Sequence, residues 1–186
     1  MKCLFLVIFL LFSLQLFSQH RIHLNKNTYL AQQNDSARTQ LLATPSDEIK
    51  YIGLHLYQGM YYLYAPCDEM YSQEIRIYKD SLELKMGEAT SWHIDNLTKT
   101  HNGITYDISS ENVTGRLSAK PFKNNMYIME YEIFYDTEPI KDYLLMVKTT
   151  DAYPFSLIVN NCPYEKNDEM KFEDANLKEI FDETGQ

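Results

Sequence analysis

His93, Asp95 and His101 are the residues whose types and spacing come closest to a reactive or metal-binding set. His93 and Asp95 are two residues apart, which on a β-strand places both side chains on one face, and His101 follows in the next polar stretch. Imidazole and carboxylate groups bind zinc, and such a pair can also act as a base with its orienting partner. A strand histidine beside a carboxylate is more often a surface pair. We therefore predict no metal site and no catalytic residue here.

The motifs that define common catalytic sites are missing from the sequence. It contains no Gly-x-Ser-x-Gly elbow, no His-Glu-x-x-His, no phosphate-binding loop and no Cys-x-x-Cys. The six glycines are dispersed, which disfavours a backbone cradle for phosphate, and we expect no cofactor. Paired carboxylates are numerous, but a chain with 26 Asp and Glu residues produces such pairs by chance. We expect a protein that is not an enzyme, with a hydrolase as the less favoured alternative.

An alternating face of aromatic and apolar side chains is the clearest candidate for a binding surface. It occupies a predicted strand over residues 125–135 and recurs on the next strand, over residues 141–149. Hydroxyl and thioether groups on this face suit a ligand cavity, because a close-packed core prefers hydrocarbon side chains and buried hydroxyls need partners. The alternative is that these tyrosines reach the rim or bond to the backbone. The predicted ligand-binding residues are Tyr127, Met129, Tyr131, Ile133, Tyr143 and Leu145.

The elements that would position these residues are short strands. Ile75 and Ile77 alternate with polar residues, a turn follows, and Leu82, Leu84 and Met86 then alternate again, which predicts a hairpin. Similar alternation continues to Val159, for eight or nine strands joined by short links. Such links are too short for parallel crossovers and favour an antiparallel meander. We predict a mainly all-β fold, an up-and-down barrel of about eight strands with a short N-terminal helix and a C-terminal helix.

Four segments make up the predicted organisation of the chain. Residues 1–18 form a signal peptide, residues 19–44 a polar N-terminal arm, and residues 45–162 the barrel domain. Within the barrel domain, a capping Thr44, an early proline and apolar residues at helical spacing predict a helix up to about Tyr57. The acidic residues 163–186 carry an apolar stripe, which predicts a C-terminal helix packed on the outside of the barrel.

The first residues of the chain have the pattern of an export signal. Lys2 precedes an apolar run of about 15 residues, which is short for a membrane span of roughly 20. Cleavage after Ser18 would leave a secreted or periplasmic protein with no membrane attachment. That cut also means that His20 is not the first residue, so His20 and His23 are interpreted as solvated side chains rather than a copper chelate.

Composition and cysteine content limit the partners. Loss of Lys2 with the signal changes the net charge from −9 to −10, which argues against nucleic acid and anionic membrane surfaces. Cys67 and Cys162 remain after cleavage. An even number of cysteines in an exported chain favours a disulfide between them, and a metal pair or a thiol nucleophile is the less favoured reading because neither cysteine has a histidine nearby in the sequence.

Two segments together resemble the lipocalin family. Residues 59–62, Gly-Met-Tyr-Tyr, are similar to its first-strand motif Gly-x-Trp-Tyr, with Tyr61 in place of the tryptophan. Residues 150–153, Thr-Asp-Ala-Tyr, are similar to its Thr-Asp-Tyr turn, with Ala152 in place of the tyrosine, and the arginine expected near the terminal helix is absent. The separation of the two segments suits six barrel strands and their loops. The resemblance implies a cup-shaped barrel that binds a small apolar molecule without catalysis.

Two functions from different classes follow from these observations. The first is an exported, non-enzymatic barrel that binds a small apolar or amphipathic molecule between its apolar strand faces. The second is a periplasmic or secreted protein-interaction module, such as an inhibitor or adhesion accessory, with a solid core and contacts on its outer surface. The sequence does not identify a protein partner. A cavity with a bound ligand would favour the first function, and a filled interior would favour the second.

Overall fold

The computed structural model describes residue 24 and residues 28–135, 138–162 and 168–184. The predicted signal peptide and His20 and His23 lie outside the described residues. Within these residues the chain forms eleven β-strands and two α-helices. The helices are α1 (Ser36–Leu42) and α2 (Leu177–Glu183). The strands are β1 (Thr28–Ala31), β2 (Ile49–Tyr57), β3 (Met60–Ala65), β4 (Gln73–Ile77), β5 (Ser81–Met86), β6 (Ala89–Thr100), β7 (Gly103–Ser110), β8 (Val113–Pro121), β9 (Met126–Phe134), β10 (Ile140–Lys148) and β11 (Ser156–Asn160).

Eight of these strands close into a barrel. From β4 to β10 each strand pairs with the next as an antiparallel meander, and β2 pairs with both β4 and β10 to complete the ring. A closed ring leaves few unpaired strand edges, which is the arrangement expected for a chain of many short strands. The predicted mainly-β fold, an antiparallel barrel of about eight strands with one helix near each end of the chain, is confirmed.

Three further strands extend the barrel at one side, and we call β1, β3 and β11 the extension sheet. Beyond Gly53, which pairs with Met146 of β10, strand β2 continues and pairs with β3 along residues 54–57. β3 then pairs with β11, and β11 pairs with β1. The β3–β11 pairing is parallel and departs from the expected antiparallel meander, because β11 enters the extension sheet only after the chain has gone round the barrel.

The helix predicted over residues 45–57 is wrong, because residues 49–57 form strand β2. Tyr51 faces the barrel core and is 4% exposed, whereas Ile52 and Leu54 face the second core and are 2% and 4% exposed. A strand buried on both faces loses its polar alternation, and its apolar residues then fall at helix-like intervals. The short N-terminal helix is α1 instead, where the side chain of Asp35 accepts a hydrogen bond from the amide of Ala37 at 2.8 Å and caps its start.

Two apolar cores lie on opposite sides of the barrel wall. The first fills the barrel interior and includes Ile75, Leu117 and Met129, all fully buried. The second lies between the outer faces of β2, β9 and β10, the extension sheet, α1 and α2, and includes Leu63 and Leu157. The same barrel strands therefore contribute to both cores, with alternate residues on each side.

The tail of the chain crosses the extension sheet before it becomes helical. Residues 168–176, which we call the strap, are not helical, so the C-terminal helix is shorter than the predicted 163–186. Met170 and Phe172 of the strap pack against Tyr62, Tyr64 and Ile158 on the outer face of the extension sheet. The strap is extended here, and its side chains cover this aromatic face. The helix α2 then packs on β9 and β10, as predicted for the C-terminal helix, with Phe181 at 6% exposure.

Polar contacts and a disulfide hold the ends of the extension sheet. The carboxylate of Glu169 accepts hydrogen bonds from the hydroxyl of Tyr64 at 2.5 Å, the amide of Asp68 at 2.7 Å and the side-chain amide of Asn160 at 3.1 Å. Cys67 and Cys162 form a disulfide with their Cα atoms 5.6 Å apart, which confirms the predicted pairing. The bond joins the chain just after β3 to the chain just after β11.

Candidate functional site

The six residues predicted to bind a ligand do not share one surface. Four of them pack in the barrel interior and two in the second core, on the outside of the barrel wall. The interior group is Tyr127, Met129, Tyr131 and Ile133, and the outer group is Tyr143 and Leu145.

The division follows from the register between β9 and β10. Leu144 pairs with Met129, so Leu144 rather than its neighbours Tyr143 and Leu145 shares the interior face. Because β10 carries apolar residues on both faces, its sequence pattern does not show which set faces inward.

The barrel interior is occupied by the protein's own side chains. An eight-stranded barrel is just wide enough for side chains to fill it or for one small ligand. The first of these applies here, since large apolar residues from six strands are 0–1% exposed inside the barrel. The three cavities described below all lie outside this packed interior. These buried residues are Ile75, Leu82, Ile108, Leu117, Met129 and Met146.

Tyrosines near one end of the interior pack against each other. The rings of Tyr51 and Tyr127 meet edge to face, with centroids 5.4 Å apart, and the amine of Lys148 lies 5.8 Å and 5.5 Å from the two centroids. Burial, followed by the neighbouring hydroxyls of Tyr106 and Tyr127, raises the pKa of Tyr51. The phenol of Tyr51 therefore stays protonated at neutral pH, and both rings serve as packing groups with a polar end.

A cleft of about 340 Å³ lies between α1 and the connection from β10 to β11. We call it the Arg38 cleft. Apolar carbon from Leu42, Ala43 and the ring of Tyr153 forms part of its wall. Threonines contribute a second, polar part of the wall. Its lining residues are Gln33, Arg38, Thr39, Leu42, Ala43, Thr44, Thr149, Thr150 and Tyr153.

Arg38 is the unusual member of this lining, because a guanidinium cannot lose its charge and the residue is only 3% exposed. Its Nη1 donates to the carbonyl of Phe155 at 3.0 Å, and its Nη2 donates to the carbonyls of Ala152 at 3.3 Å and Tyr153 at 2.8 Å. Its Nε has no hydrogen-bond partner in the part of the chain that the structure describes. Among the described residues, no carboxylate forms an ion pair with Arg38.

The local sequence explains why an arginine is buried here. Arg38, Leu41 and Leu42 lie three and four residues apart on one face of α1, and this face packs on the second core. The guanidinium then meets the carbonyls that end the turn at Thr149–Asp151. Sequence reasoning missed this residue because residues 19–44 were interpreted as a surface arm. The available signal was a charged residue at an inward-facing helical position.

A smaller cavity of about 150 Å³ lies where β2 separates from β10, under the strap. His55 lines it, with its ring stacked on Phe172 at a centroid distance of 4.4 Å and edge-on to Tyr64 at 5.7 Å. Burial lowers the pKa of His55 to about 4, so the imidazole is neutral at neutral pH. The cavity is small and is bordered by aromatic rings. His55 is therefore a packing residue at the place where β2 separates from β10.

The histidine and aspartate set examined in the sequence lies on the barrel surface. His93 is exposed and pairs with Ser109 across β6 and β7, and the carboxylate of Asp95 accepts a hydrogen bond from the hydroxyl of Ser109 at 2.9 Å. His101 is exposed in the turn between β6 and β7. Within the described ranges, no group of three His, Cys, Asp or Glu side chains is arranged to hold a metal ion.

The two segments that resemble lipocalin motifs both lie at the extension sheet. Gly59 occupies the turn between β2 and β3 with a positive φ of 74°, and Met60, Tyr61 and Tyr62 begin β3. Residues 150–153 form the connection from β10 to β11. Neither β3 nor β11 belongs to the closed ring. The barrel itself is compatible with a lipocalin-like fold without being specific to it.

Comparison with known proteins adds no identification. No family model matches the chain, no curated protein matches it, and no solved structure matches it. In the parts of the chain that the structure describes, no helix combines the length and apolar character needed to cross a membrane. The geometry of the clefts is therefore the basis for any functional proposal.

Proposed function

We propose that the chain is an exported, non-enzymatic barrel that binds a small amphipathic molecule with an anionic group. The site we assign is the Arg38 cleft rather than the barrel interior, where the protein's own side chains are packed. In this proposal the barrel acts as a scaffold, and the molecule lies between α1 and the β10–β11 connection.

The observation that carries the proposal is the uncompensated charge of Arg38 at a cleft with both apolar and hydroxyl walls. Binding sites for small molecules combine apolar surface with a few polar groups that fix orientation. A buried cation without an acidic partner favours an anion nearby, since the electrostatic interaction is strengthened where water is excluded. The hydroxyl of Thr150 at the cleft can donate to an oxygen of a carboxylate or sulfonate, whereas that of Thr39 already donates to the carbonyl of Asp35 at 3.2 Å.

Export is the second part of the proposal. It is supported by the sequence pattern of residues 1–18 and by the disulfide between Cys67 and Cys162, because oxidising compartments preserve such bonds. The lipocalin-like pattern in the sequence implies a small apolar ligand, and the proposal adds an anionic group to it. The position of the ligand differs from that pattern, since the assigned cleft is outside the ring.

Fluorescence titration with anilinonaphthalene sulfonate, which is an aromatic anion, tests the assignment. Thr150 is exposed at the cleft, so its substitution by a charged residue changes the local potential without disturbing the core. We expect Thr150→Lys to tighten binding of the probe and Thr150→Glu to weaken it, each by about two- to five-fold, the usual size of an interaction between partly exposed charges. Added salt should reduce the difference between the variants.

Matched substitutions at Thr114, an exposed residue of β8 that lines neither this cleft nor the others described, provide the control. Thr114→Lys and Thr114→Glu change the net charge by the same amounts, and we expect equal probe affinities for both. An affinity for the probe that does not depend on the sign of the charge at residue 150 would contradict the assignment. So would probe binding that is lost when Met129 in the interior is enlarged to Trp but unchanged by the Thr150 variants.

A protein-interaction module is the second candidate function, and the filled interior favours it. Here the barrel is a solid scaffold and a partner protein contacts the outside. This candidate predicts that anilinonaphthalene sulfonate does not bind at the Arg38 cleft, and that a defined protein partner protects amides on the barrel's outer face from exchange.

A further inference from the structure

A second, larger cleft crosses the outer face of β6, β7 and β8 and has a volume of about 390 Å³. We call it the hydroxyl groove. Thr98, Thr105 and Ser118 lie along its floor on three adjacent strands. It shares no lining residue with the Arg38 cleft.

The floor is a straight row of short side chains, set by the strand register. Thr98 pairs with Thr105, Thr105 pairs with Ser118, and Ser118 pairs with Glu130 on β9. The hydroxyl oxygens of Thr105 and Ser118 are 3.3 Å apart. Because neighbouring strands are about 4.8 Å apart, the three hydroxyl residues span about 10 Å, and the carboxylate of Glu130 extends the row to about 14 Å.

Longer side chains on both sides of this row make it a groove. On one side, Arg116 donates from Nε to the carboxylate of Asp107 at 3.2 Å. On the other side, the amine of Lys120 donates to the carbonyl of Phe181 at 2.7 Å, and the ring of Phe181 closes that end. Gly103 adds no side chain, and a Cβ there would lie 2.3 Å from the carbonyl oxygen of Ala119.

The chemistry of the floor and walls matches a polyhydroxylated ligand. A hydroxyl both donates and accepts hydrogen bonds. A row of hydroxyls can therefore bond to the hydroxyls of a sugar either as donors or as acceptors. The Asp107 and Arg116 groups are planar and can bond to two neighbouring hydroxyls at once. Their charges already compensate each other at 3.2 Å, which favours a neutral ligand over an ion.

We propose that the hydroxyl groove is a binding site for a short neutral oligosaccharide lying across the strands. The hydroxyls follow one another across adjacent strands, which suits a linear chain of rings rather than a single compact molecule. An extended peptide is a poorer match, because the floor presents side-chain hydroxyls instead of an unpaired strand edge. This site is independent of the proposed anion site, and each can fail without the other.

Nuclear magnetic resonance titration tests the proposal with three named probes, the soluble trisaccharides maltotriose, cellotriose and chitotriose. We expect at least one of them, at millimolar concentration, to shift backbone amide signals of Thr98, Thr105 and Ser118. The double variant Thr98→Val and Thr105→Val keeps the shape and the strand preference but removes two hydroxyls. We expect it to bind the same trisaccharide about tenfold more weakly, through the loss of two hydrogen bonds.

Thr114→Val is the matched control, because Thr114 is an exposed outer-face residue of β8 that does not line the groove. We expect it to leave trisaccharide affinity unchanged. The proposal is overturned if none of the three probes shifts the groove amides, or if the double variant binds as tightly as the control. Unchanged dispersion of the amide spectrum and unchanged binding of anilinonaphthalene sulfonate would show that the double variant is folded.

Discussion

The closed barrel and the extension sheet bury different kinds of groups. Inside the barrel the buried residues are apolar or aromatic, and each barrel strand is hydrogen-bonded on both sides over part of its length. Around the extension sheet the buried groups include Arg38, Thr149 and Asn160. Among the described residues, three buried side-chain atoms have no hydrogen-bond partner: Nε of Arg38 and Oδ1 of Asn160 lie in this region, and Oε1 of Glu48 lies just before β2.

The means of stabilisation differ in the same way. The barrel is held by its ring of pairings and its core, whereas the extension sheet is held by a disulfide, by the strap and by the Glu169 carboxylate. Partial burial acts to raise the pKa of Glu169, but hydrogen bonds from Tyr64, Asp68 and Asn160 outweigh it and lower that pKa. Glu169 is therefore ionised at neutral pH and available as an acceptor.

This difference separates scaffold from candidate function. Buried polar groups without full hydrogen bonding cost stability, and native proteins keep few of them. Such groups occur where a sequence departs from the usual preference for burying only hydrogen-bonded or apolar groups. These departures are more frequent at binding sites than in cores. The interior of the barrel buries only apolar and aromatic side chains, whereas the region around Arg38 does not, and the buried ion pair of Lys50 and Glu74 on β2 and β4 lies outside that interior cluster.

Removal of the disulfide should have the largest effect and should sharpen the comparison. For the double variant Cys67→Ser and Cys162→Ser, we expect the free energy of unfolding to fall by about 4 kcal/mol, because the bond closes a loop with a sequence separation of 95. Denaturant unfolding measures this loss. Hydrogen exchange should show β3 and β11 losing protection before β7 and β8.

The serine variant has a direct control in the parent protein treated with a thiol reductant, which should lose the same amount of stability. Equal loss of amide protection in the extension sheet and in the barrel, under native conditions, would mean that the two regions unfold as one unit. The distinction between them would then have no energetic basis.

Substitution of Glu74 tests the barrel where β2 and β4 close it. The carboxylate of Glu74 forms an ion pair with the amine of Lys50 at 3.1 Å, and Lys50 is 5% exposed. Glu74→Gln leaves a buried ammonium without a counter-charge, and we expect a loss of about 3 kcal/mol in the free energy of unfolding. The exposed Glu88→Gln is the control, with an expected change below about 0.5 kcal/mol. Similar small losses for both variants would show that ring closure does not depend on this pair.

Sequence reasoning was reliable where one property decided the outcome. The hairpin with Ile75 and Leu82 alternates cleanly, and it forms β4 and β5 as predicted. With Cys3 in the predicted signal peptide, Cys67 and Cys162 had only each other as partners, and they are bonded. The stripe that ends in Phe181 correctly predicted a C-terminal helix.

Where register or burial on two faces decided the outcome, the sequence was insufficient. Strand β2 is apolar on both faces and was predicted as a helix. A bulge between Ile94 and Asn96 shifts the alternation of β6, so Ile94 faces inward whereas Thr98 lies on the outer face. The row of Thr98, Thr105 and Ser118 therefore exists only once the pairing of three strands is known.

Titration of His55 should have the smallest effect of the three and is specific to the extension side. Its pKa is about 4 in the folded protein against an ordinary 6.5. As the pH falls from about 6.5 toward about 4, the unfolded chain therefore binds a proton that the folded protein does not, and stability is lost over that window. Between about pH 7 and about pH 5 this difference in pKa corresponds to a loss of about 2 kcal/mol in the free energy of unfolding, which urea unfolding at the two pH values measures.

His55→Phe isolates this contribution from that of the acidic residues, since a phenyl ring keeps the stacking on Phe172 and cannot be protonated. The variant should lose less stability than the parent protein between the two pH values, while His93→Phe on the exposed face of β6 should behave like the parent. If His55→Phe and the parent lose equal stability, the imidazole is solvated in the folded state. The gap between β2 and β10 under the strap would then be open to water, and the strap would not seal the extension sheet as the contact between Phe172 and Tyr64 indicates.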